Sequence, residues 1–205
     1  MKKFLLIIFL FFCCINVFAE ERSFAGNEYL DNIYYVKSTG GNTQYRRAQV
    51  IRDTATGEIA YCVEPFGRII DNNLYDGVTS FDLRFGLSED KWEKIKLYAY
   101  YGYGYKNHQN KEWISITQMM IWRTIYPSYT FEYVDDTSTG NIISRFENEF
   151  NELNALVNNH STLPSFETEY IFSIGDNITL SDSNNVLNNY KIINSDLILK
   201  YKIIH

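Results

Sequence analysis

Apolar residues near the start of the chain occur in short runs of the kind that form strands. Residues 32–37 and 45–52 are rich in aromatic and β-branched residues, which favour extended structure. Turn-forming residues at 53–57 precede a third run at 58–63. Three such runs in succession predict a β-meander. Residues 66–87 contain turn residues without a sustained period, and they predict a long loop with room for one short strand.

A helical pattern replaces the strand pattern after residue 87. Ser88 is a good N-cap residue for a first helix, which is predicted to end at Gly102. A second helix is predicted over residues 115–125, where apolar side chains crowd most of the surface, so it should be buried on more than one side. Residues 141–158 have apolar residues spaced by three or four and predict a third, amphipathic helix.

The pattern indicates an α+β fold with a change of character after Leu163-Pro164. Residues 24–165 should form one domain, in which an N-terminal antiparallel sheet, built on the β-meander, packs with a three-helix subdomain. Residues 166–205 should form the start of a β-rich, stalk-like module. A segment of about 40 residues buries too little apolar surface to be stable alone, so this module is expected to be incomplete. Its predicted strands are at 169–174, 177–180, 190–193 and 197–204.

The first residues have the pattern of a secretory signal peptide. Met1-Lys2-Lys3 supply positive charge, residues 4–12 form an unbroken apolar run, and Val17-Phe18-Ala19 place small residues at the cleavage positions. The apolar run is too short for a stable transmembrane helix. We expect residues 1–19 to be removed and the mature chain to be secreted or held at the cell surface, without membrane insertion. No wall-sorting motif or apolar tail is visible in the sequence.

The charge of the chain argues against one class of partner. Removing Lys2 and Lys3 with the signal peptide takes the formal net charge from −6 to −8, and no cluster of Lys and Arg interrupts this acidic composition. Nucleic acid is therefore not an expected partner. The His, Cys and carboxylate residues also lack the spacing of a metal site, so neither a metal nor another cofactor is predicted.

Cysteine usage raises the main chemical question. Cys13 and Cys14 leave with the signal peptide, so the mature chain keeps one cysteine, Cys62. A lone thiol in an exported chain forms no internal disulfide. It can be buried and inert, paired with another molecule, or used chemically, and the cysteine alone does not decide among the three.

Gln118 is the second unusual position, because it lies in the apolar segment 116–122 of the second predicted helix. A buried amide without hydrogen bonds costs roughly 1–3 kcal/mol. Attack of the Cys62 thiolate on the Gln118 side-chain carbonyl, with loss of ammonia, would remove this amide and leave a thioester.

The two segments around these residues resemble the thioester domains of Gram-positive bacterial surface adhesins. That family carries an aromatic-Cys-hydrophobic-acidic segment, which Tyr61-Cys62-Val63-Glu64 matches, and a hydrophobic-Gln-x-x-hydrophobic segment, which residues 117–122 match. The Tyr-Tyr-Gly-Tyr-Gly stretch at 100–104 is also similar. The resemblance covers the whole predicted domain and implies an internal thioester between Cys62 and Gln118.

By this resemblance, the thioester is an electrophile that reacts once with a lysine amine of a host surface or matrix protein, such as fibrinogen. The amine attacks the Gln118 carbonyl carbon, forms an amide bond and releases the Cys62 thiol. No cofactor takes part, and the protein is a covalent binder rather than an enzyme.

Several side chains could assist this reaction. A lysine with a pKa of about 10.4 must lose a proton before it attacks, and Thr117 could donate to the oxyanion that forms at the carbonyl. The candidates to accept the proton, by residue type, are Glu64, Tyr103, Tyr105 and His108. The aromatic residues expected to keep water from the thioester are Tyr61, Tyr98, Tyr101, Tyr103 and Trp122.

The same cysteine permits other classes of function. In a cysteine hydrolase or transglutaminase-like enzyme, Cys62 would be the nucleophile and His108 or His160 the base. His108 lies in a polar segment and is expected to be solvated, and no catalytic-cysteine signature surrounds Cys62. In a non-covalent binding module, any crosslink would be purely structural. Closing a loop of 57 residues, from 62 through 118, would stabilise the fold by roughly 4 kcal/mol if it acted like a disulfide.

Overall fold

The computed structural model of the protein describes residues 21–67, 69–71, 73–75, 86–165, 175, 179 and 181–187. The predicted signal peptide at 1–19 lies outside these residues. The strands predicted beyond residue 168 fall wholly or almost wholly outside them as well.

The described strands form an antiparallel sheet. They are β1 (Arg22–Thr39), β2 (Asn42–Asp53), β3 (Ile59–Ala60), β4 (Leu74–Tyr75), β5 (Thr130–Val134) and β6 (Ile142–Ile143). Five lie side by side in the order β3-β2-β1-β5-β6, and β4 pairs with the first residues of β1. β1 is therefore the central strand, and its residues 34–38 pair with β2 on one side and with β5 on the other.

The predicted β-meander is present as β1, β2 and β3, but the strands differ in length from the prediction. β1 and β2 are longer than 32–37 and 45–52, because two register shifts let the first part of β1 stay paired with β2. β3 is shorter than 58–63, because only Ile59 and Ala60 pair with β2. β5 and β6 extend the sheet beyond the prediction.

The three helices are α1 (Glu89–Tyr101), α2 (Glu112–Ile125) and α3 (Glu147–Asn158). α1 begins after Ser88 and ends before Gly102, as predicted. α2 starts before the predicted position at 115. An antiparallel sheet packed with three helices is the α+β arrangement that the sequence predicts.

The third helix starts later than predicted. Residues 142 and 143 form β6 and pair with Tyr133 and Val134 of β5, so they are not the first turn of a helix. Phe146 then has a left-handed backbone, with φ 63°, which a continuous right-handed helix does not contain. The prediction of a helix from residue 141 is therefore wrong, because pairing with β5 outweighs the helical spacing.

α2 lies at the centre of the core, between the sheet and the other two helices. On one side, Ile114 and Trp122 pack against residues of β1, β2 and β5. On the other side, Ile116 and Ile121 pack with residues of α1 and α3. All residues from 113 to 122 are buried, which confirms that this helix is covered on more than one side. Within the described ranges, no helix has the length and apolar character needed to cross a membrane.

Gly102 allows the end of α1 to approach α2 closely. A Cβ at this position would lie 2.0 Å from Thr117 Oγ1, which is far inside van der Waals contact. Only a residue without a side chain leaves room for the Thr117 hydroxyl. The close approach holds α1 against α2 one residue before Gln118.

Candidate functional site

Cys62 lies in a loop rather than in a strand. β3 ends at Ala60, where its pairing with β2 stops. The main-chain groups of Cys62 bond to side chains of α2 instead. The prediction that Cys62 lies in the third strand is therefore wrong, because α2 takes up the backbone groups that a neighbouring strand would use.

Two hydrogen bonds join Cys62 and Gln118. The main-chain N–H of Cys62 donates to Gln118 Oε1 at 2.8 Å, and Gln118 Nε2 donates to the Cys62 carbonyl oxygen at 2.7 Å. The amide is thus satisfied although Gln118 is only 7% exposed, and the cost of an unpaired buried amide does not arise. The same two bonds hold the carboxamide against Cys62 in one orientation.

The Cys62 thiol points into the loop that follows it. Sγ donates to the Glu64 carbonyl oxygen at 2.9 Å, and a Cβ at Gly67 would lie 3.4 Å from Sγ. Burial raises the pKa of the Cys62 thiol, against smaller lowering effects of backbone hydrogen bonding at Glu64 and Gly67 and of the Arg46 charge. The thiolate is therefore less populated than in a solvated cysteine.

Aromatic rings surround the carbonyl of Cys62. Trp122 Nε1 donates to this oxygen at 2.7 Å. The Phe66 ring packs edge-on against Trp122 with the centroids 5.5 Å apart, and the Tyr35 ring lies 5.3 Å from the same indole. Trp122 was a predicted shielding residue, whereas Phe66 and Tyr35 were not.

Phe66 is held in a backbone conformation that few residues other than glycine adopt. Its φ is 62°, and a left-handed residue of this kind costs of order 1–3 kcal/mol unless its surroundings hold it. Its ring contacts with Trp122 and Tyr35 supply that support. The feature of the sequence that could have pointed to Phe66 is its position, an aromatic residue directly after Pro65 and four residues after Cys62.

Tyr61, Tyr103 and Thr117 lie where the loop of Cys62 meets the helices. Burial raises the pKa of Tyr61 to about 12, against lowering by the Thr117 hydroxyl and the Tyr103 backbone beside it. The Thr117 hydroxyl faces Gly102, and the N–H that meets Gln118 Oε1 belongs to Cys62. The structure thus places Thr117 in the contact between α1 and α2.

Glu64 is the predicted assisting residue that lies nearest to the thiol. Its side chain is exposed. Its charge raises the pKa of the Cys62 thiol and of the Tyr126 hydroxyl, in each case behind a larger effect of burial. Tyr126 stacks on Tyr129 with the centroids 5.1 Å apart. An amine arriving beside Glu64 would therefore meet a carboxylate and aromatic rings, and the two tyrosines were not predicted to belong to the site.

His108 is buried, so the expectation that it is solvated is wrong. Its ring stacks on Trp113 with the centroids 3.4 Å apart, and it is 3% exposed. Nδ1 lies 2.6 Å from the Tyr101 carbonyl oxygen, and Nε2 lies 3.1 Å from Glu152. His160 Nδ1 lies 2.9 Å from the Tyr101 hydroxyl. Both histidines therefore pack at the end of α1.

The remaining predicted residues contact the helices. Tyr98 donates to Asn154 Oδ1 at 2.7 Å, and the Tyr105 ring packs edge-on against Tyr101 with the centroids 4.9 Å apart. These tyrosines support the helical layer behind α2. Among the described residues, no group of three or more His, Cys, Asp or Glu side chains is placed to hold a metal ion.

Comparison with known proteins identifies a family. The sequence model of the thioester domain matches residues 59–162, which is just over half of the 205-residue chain and includes Cys62 and Gln118. No curated protein matches the chain, and no solved structure does. The family match confirms the resemblance to thioester domains, and the chain belongs to the thioester domain family.

Proposed function

We propose that the Cys62 thiol and the Gln118 carboxamide form an internal thioester. The observation that carries this proposal is the pair of hydrogen bonds, at 2.8 and 2.7 Å, between the Cys62 main chain and the Gln118 amide. They keep the carboxamide beside the cysteine in a fixed orientation, and fixed orientation is a large part of what an intramolecular reaction needs. Membership in the thioester domain family supports the same bond.

In the proposed reaction, Sγ attacks the side-chain carbonyl carbon of Gln118. The C–S bond forms, the C–N bond breaks, and the thiol proton leaves with the nitrogen as ammonia. Negative charge develops on Oε1 during the attack, and the Cys62 N–H already lies 2.8 Å from that atom. A main-chain donor that is in place before the reaction stabilises such an intermediate.

Burial has two opposite effects on this chemistry. It raises the pKa of the Cys62 thiol, so little thiolate is present and bond formation is expected to be slow. It also keeps water from the product, because Gln118 is 7% exposed and the rings of Trp122 and Phe66 pack nearby. A thioester that forms slowly and hydrolyses slowly is a stored electrophile.

The thioester is proposed to react once with a primary amine of the target. The nitrogen attacks the Gln118 carbonyl carbon, an amide bond forms, and the C–S bond breaks. A lysine ammonium gives up two protons in this reaction, and one of them passes to the Cys62 sulfur. The other passes to water through Glu64, whose exposed carboxylate lies close enough to influence the thiol.

The target is proposed to be a lysine on a host surface or matrix protein. The chain would then act as an adhesin that is secreted or held at the surface of a Gram-positive bacterium. The resemblance of the two motifs to adhesin thioester domains and the signal-like residues 1–19 support this part of the proposal. The protein would bind once rather than turn over. When the amide bond to the target forms, the Cys62 sulfur has left the Gln118 carbonyl and the thioester is consumed.

The intact mass of the mature chain tests the thioester. The wild-type chain should be lighter by one ammonia than its sequence requires, and methylamine should add to Gln118 and free one alkylatable thiol. Cys62→Ala and Gln118→Ala should each abolish the ammonia loss and the adduct. Gln109→Ala, in the loop before α2, is the matched control and should change neither. A wild-type chain of full mass with a freely alkylated Cys62 would contradict the proposal.

Capture of host matrix proteins on a denaturing gel tests the attachment separately. A shifted band that requires Cys62 and Gln118 would support covalent adhesion. A structural crosslink is the second candidate function, because the bond would tie the loop after β3 to the middle of α2. In that case the thioester would be present without a shifted band, and Cys62→Ala would lower the free energy of unfolding by up to roughly 4 kcal/mol.

A hydrolase is less well supported. His108 and His160 both engage Tyr101, and within the described residues no hydrogen bond joins either histidine to Cys62. Peptide hydrolysis with multiple turnovers by the wild-type chain, lost in Cys62→Ala, would favour the enzyme instead.

A further inference from the structure

Two cations lie on the ring of Phe66, beside the loop of Cys62. Lys37 Nζ is 5.3 Å from the centroid of this ring, and the Arg46 guanidinium carbon is 5.8 Å from it. Lys37 belongs to β1 and Arg46 to β2, and both side chains are half-buried. The two positive charges therefore lie on the ring that packs against Trp122, whose N–H donates to the Cys62 carbonyl.

Neither cation has an acidic partner in the described part of the chain. Of the six arginines there, Arg46 is the one without a carboxylate within 4.0 Å, and Lys37 has none either. The arginines that do form ion pairs are Arg22, Arg47, Arg52, Arg123 and Arg145. Two unpaired cations at one place are unexpected in a chain with a formal net charge of −6. They leave a positive surface that an anionic group from outside can use.

Arg46 connects this surface to the reactive residue. Its Nη1 donates to the Gly67 carbonyl oxygen at 2.8 Å, and a Cβ at Gly67 would lie 3.4 Å from Cys62 Sγ. The charge of Arg46 is also felt at the thiol, where it lowers the pKa against the larger effect of burial. An anion bound to Arg46 would therefore lie beside Gly67, in the loop that holds Cys62.

Arg46 also lines an open cavity of about 630 Å³. The other charged residues of its lining are already engaged. Arg47 pairs with Asp31 at 2.7 Å, and Asp71 accepts the Gly26 N–H at 2.9 Å. Arg46 is thus the cation of this cavity that has no ionic partner among the described residues, and the cavity has room for a side chain of a target.

We propose that Arg46 and Lys37 bind a carboxylate of the target that lies close in sequence to the lysine that reacts. This inference rests on the proposed covalent function and names the kind of target segment it selects. Guanidinium groups suit carboxylates in charge and shape. Glu64 carries the opposite charge and meets the ammonium, so the site presents a negative and a positive element to a segment with both charges. Arg46 Nη1 and Cys62 Sγ both lie against Gly67, and an extended chain advances about 3.5 Å per residue, so a carboxylate a few residues from the lysine can reach Arg46.

Reaction rates with matched peptides test this proposal. Two short peptides each carry one lysine and either Glu or Gln two residues away, and adduct formation is followed by intact mass. The wild-type domain should react about two to five times faster with the Glu peptide, the range that an exposed ion pair supports. Added salt should reduce the ratio, because it screens exposed charges.

Charge-removing variants assign the effect to these residues. Arg46→Gln and Lys37→Gln should each bring the ratio of the two peptide rates toward one. Lys96→Gln, on the exposed face of α1, is the matched control and should keep the wild-type ratio. Because each variant is compared with itself on two peptides, a general change in thioester reactivity cancels from the ratio.

The outcomes separate this inference from the function on which it rests. A wild-type ratio of one, with normal addition of methylamine, overturns the carboxylate site and leaves the thioester intact. A ratio that survives in both Arg46→Gln and Lys37→Gln overturns it as well. A wild-type chain without ammonia loss or methylamine adduct overturns the proposed function itself. If Arg46→Gln does not fold, Lys37→Gln alone tests the carboxylate site. Lys37 forms no ion pair with another described residue, so its replacement removes no such contact from the fold.

Discussion

Trp122 donates its indole N–H to the carbonyl oxygen of Cys62 at 2.7 Å, and Gln118 Nε2 donates to the same oxygen at the same distance. The two donors are four residues apart on α2, so they lie on one face of the helix. The peptide group after Cys62 is thus held by two side chains at once. Its position relative to Gln118 depends on both of them.

Trp122→Phe should slow thioester formation and destabilise the fold. The substitution keeps an aromatic ring against Phe66 but removes one donor to the Cys62 carbonyl, and a lost hydrogen bond of this kind costs about 1 kcal/mol. Freshly produced Trp122→Phe should contain a larger fraction of chain at full mass than the wild type. Trp113→Phe, on the same helix but stacked on His108, is the control and should form the thioester normally. Equal fractions in the two variants would show that the Trp122 N–H has no role in placing Cys62.

Gly102→Ala should lower the free energy of unfolding by about 1–3 kcal/mol, the usual cost of forcing extra atoms into a packed contact. The added Cβ would lie 2.0 Å from Thr117 Oγ1, so α1 and α2 must move apart. Urea unfolding measures the loss. The double variant Gly102→Ala/Thr117→Ala should recover part of it, because the nearest two side-chain atoms are removed. If the double variant loses more unfolding free energy than the two single variants lose together, the clash between the Gly102→Ala methyl group and Thr117 is contradicted.

The Cys62 thiol should titrate above the range of a free cysteine when it is kept out of the thioester. In Gln118→Ala the thiol has no partner for the reaction, and burial, the largest effect on it, disfavours the thiolate. The rate of alkylation should therefore rise with pH around a midpoint above the usual value of about 8.5. The same variant in urea supplies the control and should show the usual midpoint. A folded-state midpoint at or below that of the unfolded chain would mean that burial does not govern this thiol.

Asp53 should make the fold sensitive to acid. Hydrogen bonds from the Ala55 and Thr56 amides and from Arg22 hold the pKa of this carboxyl below its usual value. The stabilisation is complete above the unfolded-state value of about 3.9 and is lost as the pH falls through the lower folded-state value. Asp53→Asn should thus be less stable than the wild type at neutral pH and should lose less stability in acid.

Urea midpoints at neutral pH and at about pH 3 measure this difference. Asp90→Asn, on the exposed first turn of α1, is the matched substitution. If the difference in urea midpoint between wild type and Asp53→Asn is the same at the two pH values, the ionised Asp53 carboxylate is not the source of that difference.

The sequence was most informative where one residue stood out against its neighbours. Gln118 is a polar residue in an apolar helix, and this anomaly, the lone Cys62 and the resemblance of both segments to thioester domains together predict the pair. The burial of α2 on both sides followed in the same way from its continuous apolar surface. Local pattern is a reliable guide when a single element decides the outcome.

Predictions were wrong where distant residues decide the structure. Ile142 and Ile143 fit a helical spacing, but Tyr133 and Val134 of β5 recruit them into the sheet. His108 has polar neighbours in sequence, yet the ring of Trp113 covers it. Phe66 is near Cys62 in sequence, but its role beside Trp122 depends on a left-handed backbone that no spacing rule predicts.

The continuous burial of α2 has a mechanical consequence. A target bonded to Gln118 would pull on the middle of α2, and all residues of this helix from 113 to 122 are buried. The load would spread into the sheet through one face of the helix and into α1 and α3 through the other. Tension would not pass through the loop of Cys62, because that link is given up when the target is bound. Resistance to shear would then depend on the core around α2, and the flexibility of the loop would not limit it.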